Sequence, residues 1–244
     1  QFYTSSIHYP ILKGSPYIDG ERTDILITEA SRLGDEADDY LDLTHSIEFN
    51  SHAELENGYI LTAKRYQAPP DSYDPEYYMF VEEREQARRL LYETHKVGRN
   101  KLIVALHLDA SSPLRTLPVH KVLTFIRALA KRKDTEFLVF GAQGDLYATS
   151  AEFKCPKCSG IGVVPLPVGV SEFVLACPKG CKGDIRAVRK PPLKNVHYIG
   201  MKYQTRIVGA LLSYCNLLVC VDSGLMHVAA GLRVPIFLMG GAFD

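Results

Sequence analysis

The pattern of apolar and polar positions after about residue 100 alternates between two kinds of segment. The stretch KLIVALHL, residues 101–108, is a continuous apolar run. Such a run is typical of a strand whose two faces are both covered by helices. The next stretch, PVHKVLTFIRALAKRK, places apolar residues three or four positions apart and has Pro118 in its first turn, which predicts a helix.

This alternation continues to the end of the chain. Apolar runs predict strands at EFLVFG, NVHYIG, LLVCV and PIFLMGG, and helical spacing predicts helices at QTRIVGALLSYC and SGLMHVAAGL. Strands that alternate with helices at this pitch form a parallel, doubly wound sheet. The sequence therefore predicts an α/β fold for this part of the chain.

The first hundred residues show a less regular pattern. Short strands are predicted at TDILIT, YLDL and YILTA, and a long charged helix is predicted from Phe80 to Lys96. This helix is expected to join two lobes, with the boundary near residue 97. The expected organisation is an N-terminal lobe, residues 1–97, and a C-terminal lobe, residues 98–244.

Composition and charge narrow the class of protein. The 244 residues carry no formal net charge, yet residues 19–42 hold nine acidic and two basic side chains, and residues 154–194 hold eight basic and two acidic ones. No apolar run reaches the roughly 18 to 20 residues of a membrane span, and QFYTSSIHYP lacks the pattern of a signal peptide. We expect a cytoplasmic protein.

Four of the six cysteines form a closely spaced group. They are Cys155, Cys158, Cys177 and Cys181, in the pattern C-x2-C, eighteen residues, C-x3-C. This spacing is close to that of four-thiolate zinc sites and predicts an inserted zinc ribbon over residues 153–192, with Gly160 and Gly180 supplying the positive φ of its turns. Four thiolates fill a tetrahedral shell, so the predicted metal is structural and not catalytic.

Basic residues surround these cysteines. They are Lys154, Lys157, Lys179, Lys182, Arg186, Arg189, Lys190 and Lys194. One interpretation is a contact surface for an anionic partner such as nucleic acid or a phosphorylated molecule. The other is a solvated face of an inserted loop, since runs of charge are common on protein surfaces.

Polar residues with ligand-binding potential follow a predicted strand at Asp222, Ser223, Gly224 and His227. Open parallel sheets bind ligands beyond the carboxyl ends of their strands, and a helix beginning there directs backbone N–H groups at an anion. His227, one turn later, is a candidate hydrogen-bond donor to a phosphate or a sugar hydroxyl. The alternative is an ordinary helix cap followed by a packed histidine.

A second polar cluster follows the first strand of this lobe, in LHLDASSPLRTLP. Ser111 and Ser112 offer hydroxyls, and Arg115 offers a guanidinium suited to phosphate oxygens. Two such loops at one sheet edge favour a nucleotide-type ligand, although Ser-Ser-Pro is also an ordinary turn sequence.

These segments resemble one known family. NLLVCVDSGLMHVAAGLRVPIFLMGG and LHLDASSPLRTLP, with YPILKGSPYID more weakly, are similar to the ADP-heptose:lipopolysaccharide heptosyltransferases, glycosyltransferase family 9. Arg115 stands where that family more often has lysine, and Leu117 where it has tryptophan. The resemblance implies a GT-B architecture of two Rossmann-like lobes with parallel sheets, the second of which binds the sugar donor.

The resemblance also implies an activity. It is the metal-independent transfer, with inversion, of a heptose-like sugar from a nucleotide diphosphate donor to a glycan or lipopolysaccharide-type acceptor. Ser111, Ser112, Arg115, Asp222, Ser223, Gly224 and His227 are then the expected donor-binding residues. The catalytic base is expected before Gln1, the chain is expected to be partial at both ends, and a peripheral position at the inner membrane face fits such an acceptor.

Two other functions compete with this one. The first is a non-catalytic binding or assembly protein that reuses the lobe and contacts nucleic acid or a protein through the basic ribbon; it predicts salt-dependent binding. The second is a nucleotide-sugar epimerase of the same architecture, against which the sequence His227-Val-Ala-Ala argues.

Overall fold

The computed structural model describes residues 2–4, 21–23, 76–110, 116–141, 150–165, 172–182, 184–189 and 193–239. The chain divides into two compact units, residues 1–78 and 79–244. In the first unit, strand β1, Phe2–Thr4, pairs in parallel with β2, Glu21–Thr23. The strands expected at YLDL and YILTA, and all of TDILIT beyond Thr23, lie outside the described residues.

Nine strands of the second unit are described. They are β3 Leu102–His107, β4 Thr135–Phe140, β5 Ser150–Lys154, β6 Ile161–Pro165, β7 Glu172–Ala176, β8 Asp184–Arg189, β9 Val196–Gly200, β10 Leu217–Cys220 and β11 Ile236–Leu238. Five of them form a wholly parallel sheet in the order β11–β10–β3–β4–β9. The predicted α/β fold with a parallel sheet is therefore confirmed.

The order of the strands contains a reversal at β3. The chain passes from β3 outward through β4 to β9, and then returns to the other side of β3 to form β10 and β11. Successive crossovers thus run in opposite directions on the two sides of β3. The carboxyl ends of β3 and β10 flank the point where the direction changes, which is where open α/β sheets have their crevice.

Helices of the second unit cover this sheet. They are α1 Val81–Arg89, which continues into a π-helical turn at Leu90–Thr94, α2 Val119–Leu129, α3 Thr205–Leu212 and α4 Gly224–Gly231. Helix α2 buries Val122 and Ile126 against Leu106 and Phe137 of the sheet. The continuous apolar character of β3 and β4 follows from burial on both faces.

A salt bridge between Arg206 and Glu83 joins helix α1 to helix α3. The guanidinium of Arg206 donates to both carboxylate oxygens of Glu83, at 2.5 and 2.7 Å, and lies 5.0 Å from the centre of the Phe80 ring. Only 8% of the Arg206 side chain and 16% of the Glu83 side chain is exposed. Helix α1 therefore packs within the second unit, although the sequence placed the boundary after it, near residue 97.

The cysteine-containing segment forms a second sheet in the connection from β4 to β9. This sheet is antiparallel, with the order β6–β5–β8–β7, and β6 lies against α2. Its buried face gathers Ala151, Phe153, Ile185 and Ala187 beside the cysteines. Because successive strand residues alternate between faces, Val174, Arg186 and Val188 lie together on the opposite, exposed face.

Among the described helices, none combines the length and the apolar character needed to cross a membrane.

Candidate functional site

The reversal of strand order brings together side chains that are far apart in sequence. His107 is the last residue of β3, and Ser223 is the residue that precedes α4. Their side chains are hydrogen bonded, with 2.8 Å between the histidine Nδ1 and the serine Oγ. The bond joins the ends of neighbouring strands at the position where this type of sheet binds ligands.

Ser223 occupies the cap position of α4 but does not cap it with its side chain. Its backbone is extended, at φ −160° and ψ 163°, and its hydroxyl makes no hydrogen bond to the helix. The first N–H groups of any helix lack acceptors within the helix. Because Ser223 does not cap the helix, the first N–H groups of α4 are suited to an external acceptor. The interpretation of Ser223 as an ordinary helix cap is therefore not supported.

Asp109 supports the same histidine from its other side. Its Oδ1 is 3.6 Å from Nε2 of His107, and the residue is buried. A Cβ atom at Gly141, which follows β4, would lie 1.9 Å from that Oδ1. His107, Asp109 and Gly141 were not predicted from the sequence, although a His-x-Asp pair at the end of a predicted strand was a signal for the first two.

Gly141 is expected to be intolerant of a side chain. Its φ is +101°, a conformation that residues with a side chain rarely adopt, and an added methyl group would displace Asp109. Gly141→Ala should therefore destabilise the protein by about 1–3 kcal/mol. Gly224→Ala is the matched control, because a Cβ there meets no atom within 4 Å. Urea unfolding measures both; equal stability of the two variants would contradict this interpretation.

Two histidines of this unit have pKa values below the usual one. Burial lowers the pKa of His107, against an opposing effect of the Asp109 carboxylate. Burial, helped by the charges of His197 and Lys202, lowers the pKa of His95, whose Nε2 lies 2.9 Å from the Tyr203 hydroxyl. Both rings are therefore neutral in the folded protein at neutral pH.

These shifts predict that acid destabilises the fold. An unfolded histidine takes up a proton near pH 6.5, whereas the folded His95 and His107 take one up only at lower pH. Stability is therefore complete above pH 6.5 and is lost as the pH falls from there toward the folded pKa values. The urea midpoint should drop between pH 7.5 and pH 5.5, and drop less in His95→Phe. A constant midpoint would contradict the burial of neutral histidines.

The other predicted residues of this segment lie on and beside α4. Gly224 and His227 are exposed in the first turn of the helix, and Asp222 is half-buried before it. Burial, and then the charge of Asp222, raise the pKa of the Cys220 thiol to about 11. Cys220 is therefore an unreactive thiol at neutral pH, and the polar side chains beside the start of α4 are Asp222, Ser223 and His227.

Ser111, Ser112 and Arg115 lie outside the described residues. The residues on either side of them are joined, because the Thr116 hydroxyl donates to the Ala110 carbonyl at 3.0 Å and accepts from the Ala110 N–H at 3.0 Å. The N–H of Leu117 also donates to the carbonyl of Leu108. The segment that contains the two serines and the arginine thus begins and ends at the carboxyl end of β3.

The four predicted cysteine ligands converge in the second sheet. Their Sγ atoms all lie within 4.8 Å of one another. The Sγ atoms of Cys158 and Cys177 are 3.7 Å apart, too far for a disulfide and close to the ~3.8 Å edge of a tetrahedron with Zn–S bonds of about 2.3 Å. The arrangement is therefore able to hold a metal ion.

Two thiols of this cluster have pKa values shifted in opposite directions. The backbone N–H of Cys181 lowers the pKa of Cys177 to about 6, against the effect of burial. Contacts with the sulfurs of Cys158 and Cys177 raise the pKa of Cys181 to about 12. Four thiolates this close repel one another, and a bound divalent cation removes that repulsion.

The turns of the cluster differ in one respect from the prediction. Gly180 has a positive φ of 74°, as expected, but in the first turn Ser159 and not Gly160 takes it, at 53°. The prediction for Gly160 was therefore wrong. A Cβ at Gly160 would lie 3.1 Å from the sulfur of Cys158, so glycine avoids a tight contact with the cluster there.

The basic residues are divided between the cysteine turns and the exposed face of the sheet. Lys157, Lys179 and Lys182 are exposed in the turns, and the amino group of Lys157 donates to the carbonyl of Lys182. Lys154 and Arg186 are exposed on strands, where Asp184 is exposed as well. A divalent metal bound by four thiolates would carry a net negative charge, which nearby lysines of the turns would balance.

The second unit is a doubly wound α/β domain with a polar site at its reversal point and an inserted four-cysteine sheet. Residues 195–238, which include β9, β10 and α4, match the family described as Glycosyltransferase family 9 (heptosyltransferase). This match confirms the resemblance that was predicted from the Asp222 to His227 segment. No curated protein matches the chain.

Two solved structures align with part of this chain. The glycosyl transferase family 9 protein from Veillonella parvula DSM 2008 aligns at a TM-score of 0.49 with 17% identity, covering 77% of this chain and 44% of its own. E. coli ADP-heptose lps heptosyltransferase II aligns at 0.44 with 15% identity, covering 70% and 41%. The chain thus spans less than half the length of either protein.

Proposed function

We propose that this chain contains the sugar-donor-binding part of a family 9 glycosyltransferase. The observation that carries the proposal is the position of the Asp222 to His227 segment at the reversal of strand order, beside the end of β3. Polar groups and a helix beginning meet there at the crevice where α/β sheets bind nucleotides. The match of residues 195–238 to the family supports the same assignment.

The proposed ligand is a nucleoside diphosphate sugar. The backbone N–H groups at the start of α4 face its diphosphate, and a Cβ at Gly224 would meet none of the described residues within 4 Å, which leaves space for phosphate oxygens. His227 is exposed within one turn and donates a hydrogen bond to the ligand. Ser111, Ser112 and Arg115 are proposed to approach it from the segment that follows β3.

The proposed reaction is transfer of the sugar with inversion and without a catalytic metal. An acceptor hydroxyl attacks the anomeric carbon and gives its proton to a carboxylate base. The bond from that carbon to the diphosphate oxygen breaks, and the nucleoside diphosphate leaves with the electron pair. Negative charge grows on the leaving diphosphate, and the helix N-terminus and Arg115 are proposed to stabilise it. The acceptor is proposed to be a glycan of the lipopolysaccharide type.

For the four-cysteine cluster we propose a structural Zn²⁺. Cys155, Cys158, Cys177 and Cys181 provide four soft sulfur ligands within 4.8 Å of one another, enough to fill a tetrahedral zinc shell. When bound, the ion supplies cross-linking of the two turns and takes no part in sugar transfer.

His227→Ala tests the donor site. The loss of a hydrogen bond to a charged ligand should weaken the binding of ADP-glucose by about 10- to 100-fold in calorimetry. Arg132→Ala is the control, because exposed Arg132 lies in the turn that precedes β4, at the amino ends of the strands, and the variant should bind as the wild type does. Unchanged affinity in His227→Ala would remove His227 from the proposed site.

The exposed lysines of the cysteine turns favour one second candidate, binding of an anionic macromolecule through that surface. This function predicts binding of a nucleic acid that weakens steeply with salt and with charge reversal at Lys157 and Lys179. Donor binding at α4 would be unaffected by those substitutions. A titration of single-stranded RNA at 50 and 200 mM salt separates the two functions.

A further inference from the structure

Three side chains at the crevice form a continuous row. Asp109, His107 and Ser223 follow one another with 3.6 Å between Oδ1 and Nε2 and 2.8 Å between Nδ1 and Oγ. The histidine and the aspartate are buried to the extent that 16% and 9% of their side chains are exposed, whereas Ser223 is half-buried at the open end of the row. The row therefore connects a buried carboxylate to a hydroxyl that a ligand is able to reach.

The carboxylate determines where the histidine carries its proton. A neutral imidazole has one N–H and one acceptor nitrogen. Asp109 Oδ1 lies 3.6 Å from Nε2, beyond hydrogen-bond distance, so it is the negative charge of the carboxylate that favours the N–H at Nε2 and leaves the lone pair at Nδ1. The contact between Nδ1 and Ser223 at 2.8 Å then requires the serine hydroxyl to be the donor.

A hydroxyl has one proton to donate. Because the Ser223 proton is directed at His107, the serine oxygen turns its remaining lone pairs toward the crevice. A lone pair attracts an O–H or N–H group and repels the oxygen of a phosphate. The sequence predicts that backbone N–H groups at the start of this helix bind an anion, and the Ser223 hydroxyl then has a separate role.

We propose that His107 fixes Ser223 as a hydrogen-bond acceptor, so that Ser223 binds a hydroxyl group of the nucleotide sugar and not its diphosphate. His107 is a positioning residue and Ser223 a specificity-determining one. The inference rests on the proposed function, because it names which part of the ligand the serine contacts. The hydroxyl belongs either to the ribose or to the transferred sugar, and the two sources are separable by experiment.

Binding of three adenine nucleotides to the full chain and to Ser223→Ala tests the proposal. ADP-glucose carries ribose and sugar hydroxyls, ADP carries ribose hydroxyls alone, and 2′,3′-dideoxy-ADP carries neither. Loss of one neutral hydrogen bond should weaken the contacted ligand by about 2- to 10-fold and leave dideoxy-ADP unchanged. Weakening of both ADP and ADP-glucose assigns the ribose, and weakening of ADP-glucose alone assigns the sugar.

The contrary results are distinct from one another. Equal weakening of all three ligands would show that Ser223 binds the diphosphate and would overturn the proposal alone. Equal affinity of all three in Ser223→Ala and in the wild type would also overturn it. Failure of the wild type to bind any of them would overturn the proposed function together with this inference. Ser213→Ala is the control, since the Ser213 hydroxyl donates to the Ala210 carbonyl on α3.

The position of the histidine proton provides a second test that needs no ligand. Nitrogen chemical shifts of His107 in the full chain, assigned by comparison with His107→Gln, distinguish a protonated from an unprotonated ring nitrogen. The expected result at pH 7.5 is a proton on Nε2 and none on Nδ1. A proton on Nδ1 would make His107 the donor to Ser223 and overturn the proposal.

Discussion

Replacement of Cys177 by serine is expected to abolish stable metal binding and to unfold the four-stranded sheet. Tetrathiolate zinc binding is worth about 10–16 kcal/mol in small metal-dependent folds, so one ligand of four contributes about 3 kcal/mol and its loss weakens binding more than about 100-fold. The buried face of this sheet is small and consists largely of Ala151, Phe153, Ile185, Ala187 and the cysteines themselves. Without the ion, few apolar contacts remain to stabilise the four-stranded sheet.

Zinc content and hydrogen exchange of the full chain measure this effect. The wild type should hold one zinc ion per chain, and Cys177→Ser should lose both the ion and the protection of amides in β7 and β8. Protection in β3, β4 and β10 should persist, because the parallel sheet has a separate core. Cys215→Ala is the control, since Cys215 is buried on the other side of the fold and outside the cluster. Full zinc retention by Cys177→Ser would contradict the four-ligand site.

Arg206→Met is expected to destabilise the second unit by about 3–5 kcal/mol. The substitution leaves Glu83 charged and largely buried between α1 and α3, without the guanidinium that donates to both its oxygens. An uncompensated buried charge costs far more than the pair itself contributes. Replacing both partners, as in Glu83→Gln with Arg206→Met, should therefore recover a large part of the stability.

An exposed pair on the same helix provides the comparison. Arg88 donates to Glu85 in similar geometry, but 38% and 48% of their side chains are exposed. Arg88→Met should change the urea midpoint little, because water screens and replaces the interaction. Similar losses in Arg206→Met and Arg88→Met would show that burial of the Glu83 pair does not govern its contribution.

Local patterns were sufficient to predict the strands and helices of the parallel sheet. Strands β3 and β4 are buried on both faces, so their sequences are continuous apolar runs, and α2 carries its apolar residues on one face. The cysteine cluster was predictable for a similar reason, because both ligand pairs are local and their turns recognisable. These elements were predictable because each depends on the conformation of only a few consecutive residues.

Features that depend on the lateral order of strands were not predictable. The hydrogen bond between His107 and Ser223 joins residues separated by 116 positions, and it exists because β10 returns to lie beside β3. Glu136 is a second case. Burial raises its pKa, but hydrogen bonds from Lys101 and His197 lower it more, so a buried carboxylate on β4 stays charged. Its partners are 35 and 61 residues away.

The most direct test of the proposed donor site is hydrogen exchange of the full chain with and without ADP-glucose. The proposed function predicts saturable binding and added protection of amides at the start of α4, from Gly224 to His227, and at the end of β3. It predicts no change in β7 and β8 of the cysteine sheet. Binding that leaves α4 unchanged, or that protects the cysteine sheet in its place, would contradict it.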